Sequence, residues 1–242
     1  QVNPSGKMPD TVAYTIEDYP SHPYFGDRER NFYTEDIYVG YRYFETIPGM
    51  AEKVNYPFGY GLSYTTFEMK EEDSVIENDV LTAKIAVTNT GVMAGKEVVQ
   101  LYVSAPQGKV GKPAKELKAF AKTKLLAPGE TEVLTLTADM ASFASYDDLG
   151  KVKKASYVLE KGLYEVYYGN NVRDVELLDL AFIAEEDIIV EEVKTRCIPK
   201  TLKERMLSDG TMEALEQHPE LERISRWPHP DWNTYKAQEV AP

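Results

Sequence analysis

The chain has 242 residues, 43% of them hydrophobic and 28% charged, with a formal net charge of −13. That is enough apolar content for one or two domains, each with its own core. The negative balance and the lack of a long Lys/Arg run argue against nucleic acid or an anionic membrane surface as partner, since both attract basic faces. No apolar run approaches the ~20 residues that span a bilayer and no charged-then-apolar leader opens the chain, so a soluble protein is expected. The single cysteine, Cys197, cannot close an intrachain disulfide; it reads as a small apolar residue and suits a reducing, cytoplasmic setting. The chain begins at Gln1, as a processed product or a piece of a longer protein would.

Residues 1–55 are rich in Pro, Gly, Tyr and charge and show no sustained period, so they are expected to lie on another surface rather than enclose a core. The stretch NYPFGYGLSYTTFE, residues 55–68, is too stiff and too apolar for a loose linker. Pro57 biases Tyr56 toward extended geometry, Gly59 and Gly61 permit angles that side chains forbid, and a strand is expected to start at Tyr64.

From Tyr64 to about Ile183 short alternating runs recur between turn signals. Ala83, Ile85 and Val87 form one inward face, stopping at Asn89-Thr90-Gly91; Val99, Leu101 and Val103 form the next, stopping at Ala105-Pro106. Leu117 with Phe120, and Leu125 with Leu126, bracket a weaker strand closed by Pro128-Gly129. Leu134 and Leu136 point inward from a threonine-rich run, Met140 to Tyr146 reads as a short helical crossover, and Tyr164, Val166, Tyr168, Leu178, Leu180 and Phe182 complete the set. Seven short strands without a long helix predict an all-β, two-sheet antiparallel sandwich. After Ile183, the acidic run Glu185 to Glu192 predicts an exposed strand or arm. Thr201 to Gln217 reads helical in places, from the spacing of Leu202, Met206, Met212 and Leu215, and SRWPHPDWN cannot be a regular helix.

Asn3-Pro4-Ser5-Gly6-Lys7-Met8-Pro9, Tyr38-Val39-Gly40-Tyr41-Arg42-Tyr43 and Tyr56-Pro57-Phe58-Gly59-Tyr60-Gly61-Leu62-Ser63-Tyr64-Thr65 resemble, in that order, the carboxyl-side part of glycoside hydrolase family 3. Glu97-Val98-Val99-Gln100-Leu101-Tyr102-Val103, Lys115-Glu116-Leu117-Lys118-Ala119-Phe120, Pro128-Gly129-Glu130-Thr131 and Gly162-Leu163-Tyr164-Glu165-Val166 are similar to that family's fibronectin type III-like domain. The resemblance covers residues 3 to about 183. It implies the end of an incomplete α/β sandwich domain over 1–63, an immunoglobulin- or fibronectin-like sandwich over 64–183, and a partly helical C-terminal extension or linker over 184–242. In such β-glucosidases and β-xylosidases a carboxylate attacks the anomeric carbon and a second carboxyl about 5 Å away acts as acid then base. The resemblance places the nucleophile in a barrel and the acid/base upstream of the NPSG turn at which this chain starts. It therefore implies that this chain carries no catalytic, cofactor-binding or metal-binding residue, and that its partner is the missing barrel and α/β sandwich, with a carbohydrate as substrate of the complete enzyme.

Asp209, in Ser208-Asp209-Gly210, reads as a surface turn rather than a nucleophile, and the carboxylates of Glu185, Glu186, Asp187, Glu191 and Glu192 as a solvated rim. His22, His218 and His229 each precede proline and lack metal-site spacing. Trp227 and Trp232 either stack on a sugar or anchor the tail in a neighbouring groove. The expected role is a non-catalytic scaffold of a β-glucosidase-like hydrolase; the alternatives are a stand-alone carbohydrate-binding sandwich and a structural adhesion module.

Overall fold

The computed structural model describes residues 2–26, 31–194 and 202–216. Two antiparallel sheets form its main body. One has the order β3-β4-β7, with β3 at Phe67–Glu77, β4 at Val80–Asn89 and β7 at Thr131–Asp139. The other has the order β11-β10-β5-β6, with β5 at Val98–Ser104, β6 at Glu116–Lys122, β10 at Gly162–Gly169 and β11 at Val175–Ala184. Between β7 and β10 the chain makes a 3-10 turn at Met140–Phe143, the expected crossover, and then two strands, β8 (Ser145–Asp147) and β9 (Ser156–Leu159). These pair with β12 (Ile188–Glu192) as a small third sheet, in which the acidic run is an exposed edge strand.

The period-2 pattern decides what is buried. Ala83, Ile85 and Val87 from β4, Leu134, Leu136 and Ala138 from β7, Val99, Leu101 and Val103 from β5, and Tyr164, Val166 and Tyr168 from β10 meet in one core between the sheets. Each fully buried aliphatic side chain there contributes about 1.5–3 kcal/mol. The β3–β4 hairpin turns on Asn78 and Asp79, both with left-handed backbone (φ 52° and 62°), the geometry whose twist matches the flanking strands.

Phe120 does not point inward: it is 71% exposed, and Ala119 and Ala121 pack against the core instead. The reason is a bulge. Tyr102 pairs with Leu117 but Leu101 pairs with Ala119, so Lys118 is an extra residue, and Phe120, opposite Gln100, falls on the outer face. Leu125 is also exposed, whereas Leu126 is fully buried. The first strand begins at Phe67 rather than Tyr64.

The expected helical tail is a hairpin. Strands β13 (Glu204–Met206) and β14 (Met212–Ala214) pair in register around a turn at Ser208, Asp209 and Gly210, where Gly210 has φ +83°. Spacing in so short an apolar run does not separate helix from strand, and the Asp-Gly pair settles the matter as a hairpin turn.

Residues 2–64 do more than lie on a surface. They hold β1 (Val12–Ala13), paired with β2 (Val54–Tyr56), and a one-turn helix, α1 (Tyr41–Phe44). Ala13, Tyr38, Tyr43, Phe44, Ile47 and Val54 form a second, smaller core, which Met206 of the tail hairpin helps to close. Among the described residues no helix is long and apolar enough to cross a membrane.

The PFGYG corner is rigid for a visible reason. Gly59 donates its N–H to the Met8 carbonyl (2.9 Å), Met8 donates to the Tyr60 carbonyl (2.8 Å), and Val172 donates to the Phe58 carbonyl (3.1 Å). Gly59 has φ +83°, and a Cβ there would come within 2.8 Å of the Asn171 Cα. Gly59→Ala is therefore expected to destabilise the chain by about 1–3 kcal/mol, seen as a lower urea midpoint at unchanged slope.

Candidate functional site

Strand β5 alternates apolar and polar residues, yet both its faces are buried: Gln100 and Tyr102 on the outer face are as inaccessible as the core. Residues 2–64 cover them. The Tyr41 ring stacks 4.7 Å from Phe58 and meets Tyr102 edge-on at 6.2 Å, while the Leu117 N–H donates to the Tyr41 hydroxyl (3.0 Å). Tyr102 donates its hydroxyl to the Gln100 side chain, and burial pushes this phenol well above its ordinary range. The seam is tied along its length. Lys7 pairs with Glu97 at 2.8 Å in a nearly buried position, Arg173 bonds Glu45 and the Ala51 carbonyl, both at 2.8 Å, and the Ala114 N–H donates to Thr46 (2.8 Å). On their outer side, residues 2–64 leave Tyr14, Ile16, Phe25, Tyr33, Leu62 and Tyr64 exposed. Apolar and aromatic side chains in that number on one short segment mark a contact surface.

A second feature gathers three remote segments. Arg205 of β13 pairs with Asp148 (2.9 Å), Glu213 (3.2 Å) and Asp36 (3.5 Å), and Lys151 pairs with Glu213 (2.8 Å). Burial raises the Asp36 carboxyl above its usual value against the opposing pull of Arg205. The hydrogen bond from Lys151 lowers that of Glu213 against its partial burial. Two carboxylates on one guanidinium resemble an acid pair, but the adjoining cavity is only about 30 Å³. That is room for a water, whereas ligand pockets begin near about 300 Å³. The arrangement serves as a structural tie, reinforced when the Met206 N–H donates to the Thr34 carbonyl (2.7 Å).

The roomier grooves place carboxylates in structural duty. In a groove of about 480 Å³ beside the β3–β4 turn, Asp139 accepts the Ala141 N–H (2.8 Å) as cap of the 3-10 turn, and Asp79 occupies the hairpin tip. In one of about 290 Å³ at the open edge of the sandwich, Glu176 accepts the Tyr168 hydroxyl (2.8 Å) and Asp174 accepts from Asn171 (2.6 Å). Asp209 accepts both the N–H and the hydroxyl of Thr211 (2.9 and 2.6 Å), which hold its carboxyl below the usual range in an exposed turn. Asp187 is likewise lowered by the Lys161 N–H and by Lys109. His22 sits in a 3-10 turn at His22–Tyr24. Among the described residues, no three His, Cys, Asp or Glu side chains cluster as metal ligands do. Cys197, His218, Trp227, His229 and Trp232 lie outside the described residues.

Two buried polar clusters escaped sequence reasoning. Lys112 and Glu160, 1% and 4% exposed at their side chains, form an ion pair between the loop after β5 and the end of β9. Glu160 also accepts the N–H groups of Lys109 (2.6 Å) and Val110 (3.0 Å), and Gly108 is pressed so close that a Cβ would collide with the carboxylate. Asp147 accepts four backbone N–H groups, from Gly150, Lys151, Val152 and Lys153, at 2.6–3.0 Å. Burial opposes ionisation of Asp147, but these four donors outweigh it and lower its carboxyl.

The fold and its seam define a fibronectin-type sandwich carrying a fixed N-terminal segment, and residues 97–172 match the fibronectin type III-like domain family. Over 234 residues the chain is 55% identical to β-glucosidase A of Butyrivibrio fibrisolvens, covering 90% of this chain and 28% of that protein. A β-glucosidase from Paenibacillus barengoltzii superimposes with a TM-score of 0.85 at 46% identity, over 92% of this chain and 26% of that one. The glycoside hydrolase family 3 β-glucosidase of Bifidobacterium adolescentis superimposes at 0.65 with 32% identity, over 76% of this chain and 26% of that one. This chain belongs to glycoside hydrolase family 3, to the part of its β-glucosidases that carries the fibronectin type III-like domain. It spans little more than a quarter of the length of these relatives.

Proposed function

We propose that the chain is the non-catalytic scaffold portion of a family 3 β-glucosidase. Residues 1–63 are the end of its α/β sandwich domain, 64–183 its fibronectin-like domain, and 184–242 an extension or linker. The whole enzyme hydrolyses terminal β-glucosides with carboxyl groups that this chain does not supply. The observation that carries the reading is one of proportion: nearly all of this chain aligns with 28% of a β-glucosidase. The exposed aromatic side chains of residues 14–64 are what a scaffold presents to a catalytic body, since a ring buries a large area while its hydroxyl stays wet.

A graft tests this. With the present chain standing in for the matched 234 residues of the Butyrivibrio enzyme, the hybrid is expected to hydrolyse 4-nitrophenyl β-glucoside within about tenfold of the parent, a factor worth 1.4 kcal/mol in the barrier. A folded hybrid with no activity contradicts the reading.

A further inference from the structure

The outer face of β5 and β6 is only partly covered. Tyr41 and Phe58 lie over Tyr102, but beyond them a groove of about 490 Å³ stays open between Lys7–Pro9 and Phe58–Gly59 on one side and β6 on the other. Phe120 stands in this groove, 71% exposed, with Leu117, Val98, Met8 and Phe58 among its walls. The outer face of β7, by contrast, presents Thr131, Thr135 and Thr137 beside a single valine. The bulge at Lys118 is what turns Phe120 outward, so the exposure is built into the register of the strand.

The rim is basic although the chain is not. Lys122 lines the groove, donates to the Ser5 carbonyl (2.8 Å) and forms no ion pair among the described residues, in a chain of net charge −13.

We propose that this groove seats an apolar side chain of the catalytic body of the same β-glucosidase, flanked by a carboxylate that meets Lys122. The proposal rests on the scaffold reading above. Three observations select that occupant. The groove continues the seam by which residues 2–64 already pack on this sheet, sharing Phe58 and the segment hydrogen-bonded to it through Met8. The relatives carry nearly three quarters of their length beyond the region this chain matches, so a body large enough to cover the groove belongs to the same molecule in them. The unpaired Lys122 supplies charge complementarity to an acidic rim.

Hydroxyl-radical labelling of Phe120, read by mass spectrometry, tests the proposal on the isolated chain and on the Butyrivibrio graft. Phe120 is expected to label readily in the isolated chain and at least about fivefold less in the graft, as a side chain at the desolvated centre of an interface does. Phe120→Asp is expected to leave the thermal midpoint of the isolated chain unchanged and to lower that of the graft. An active graft in which Phe120 labels as in the isolated chain overturns the docking and leaves the scaffold reading intact. An inactive graft with protected Phe120 does the reverse. An isolated chain that runs as a dimer, and as a monomer once Phe120→Asp is introduced, makes a second copy the occupant and overturns the proposal. Protection of Phe120 in the isolated chain by cello-oligosaccharide overturns it in favour of a sugar.

Discussion

Glu160→Ala is expected to lower the unfolding free energy by about 3–5 kcal/mol, because removing one member of a buried ion pair leaves the other charge uncompensated. Lys112 is 1% exposed at its side chain and has, besides Glu160, only the Val110 carbonyl (3.0 Å) as acceptor. The Lys109 and Val110 N–H groups lose their acceptor in the same change, which adds unsatisfied donors to the unpaired ammonium. Against a total of about 5–15 kcal/mol for a domain, such a loss is large enough to leave part of the population unfolded at room temperature. Urea unfolding followed by fluorescence checks it. The double variant Lys112→Met/Glu160→Leu is expected to recover most of the loss, since the charge penalty is gone and only two backbone donors stay unpaired. If Glu160→Ala unfolds at the same urea concentration as the parent, the pair contributes no net stability.

The second large effect concerns acid. The Asp147 carboxylate closes the turn 147–153 through four backbone N–H groups and is 2% exposed. Hydrogen bonds to a charged acceptor are worth about 1.5–3 kcal/mol each at most, and they are not additive when they share one acceptor. Asp147→Ala is therefore expected to cost about 3 kcal/mol or more, and Asp147→Asn, which keeps one acceptor oxygen, about half of that. The sign of the pH dependence follows from the lowered folded value. The Asp147 contribution is complete above the unfolded aspartate value of about 3.9 and is lost as pH falls through the folded one. The parent should lose stability over that acid range more steeply than Asp147→Asn. Parallel curves for the two down to pH 2, within about a unit of the lowest values carboxylates reach, would contradict this.

How much was legible in the sequence depended on whether local pattern or distant contact set the structure. The core faces of β4, β5, β7 and β10 were readable because period-2 alternation is a local property, and each predicted inward residue of those strands lies in the core. Strand β3 was readable only at its first residue, since Phe67–Glu77 is an edge strand with few apolar positions and a bulge between Glu71 and Asp73. Phe120 was misassigned because one extra residue at Lys118 reverses the alternation, and a bulge leaves no mark in composition. The tail read as helix because Met206 and Met212 fit either period; what makes Met206 a strand residue is Thr34, more than 170 positions away. The ion pair of Lys112 with Glu160 and the Arg205 tie have the same origin, since their partners are brought together by topology rather than by spacing. Of these signals Gly108 alone was local: a glycine in a polar loop marks a close approach, and here the approaching group is a carboxylate. The family motifs, by contrast, were legible at once, because NPSGKMP and YPFGYGLSYT form the two halves of one seam, joined through Met8 and Gly59.

The account holds that this polypeptide shapes and supports an active centre whose reacting carboxyl groups lie on other parts of the enzyme. Incubating the purified chain by itself with 4-nitrophenyl β-glucoside, from pH 4 to pH 8, tests that most directly. The expected result is nitrophenol release no faster than in a protein-free blank; release that rises with chain concentration and disappears in Asp139→Asn or Asp209→Asn would contradict it.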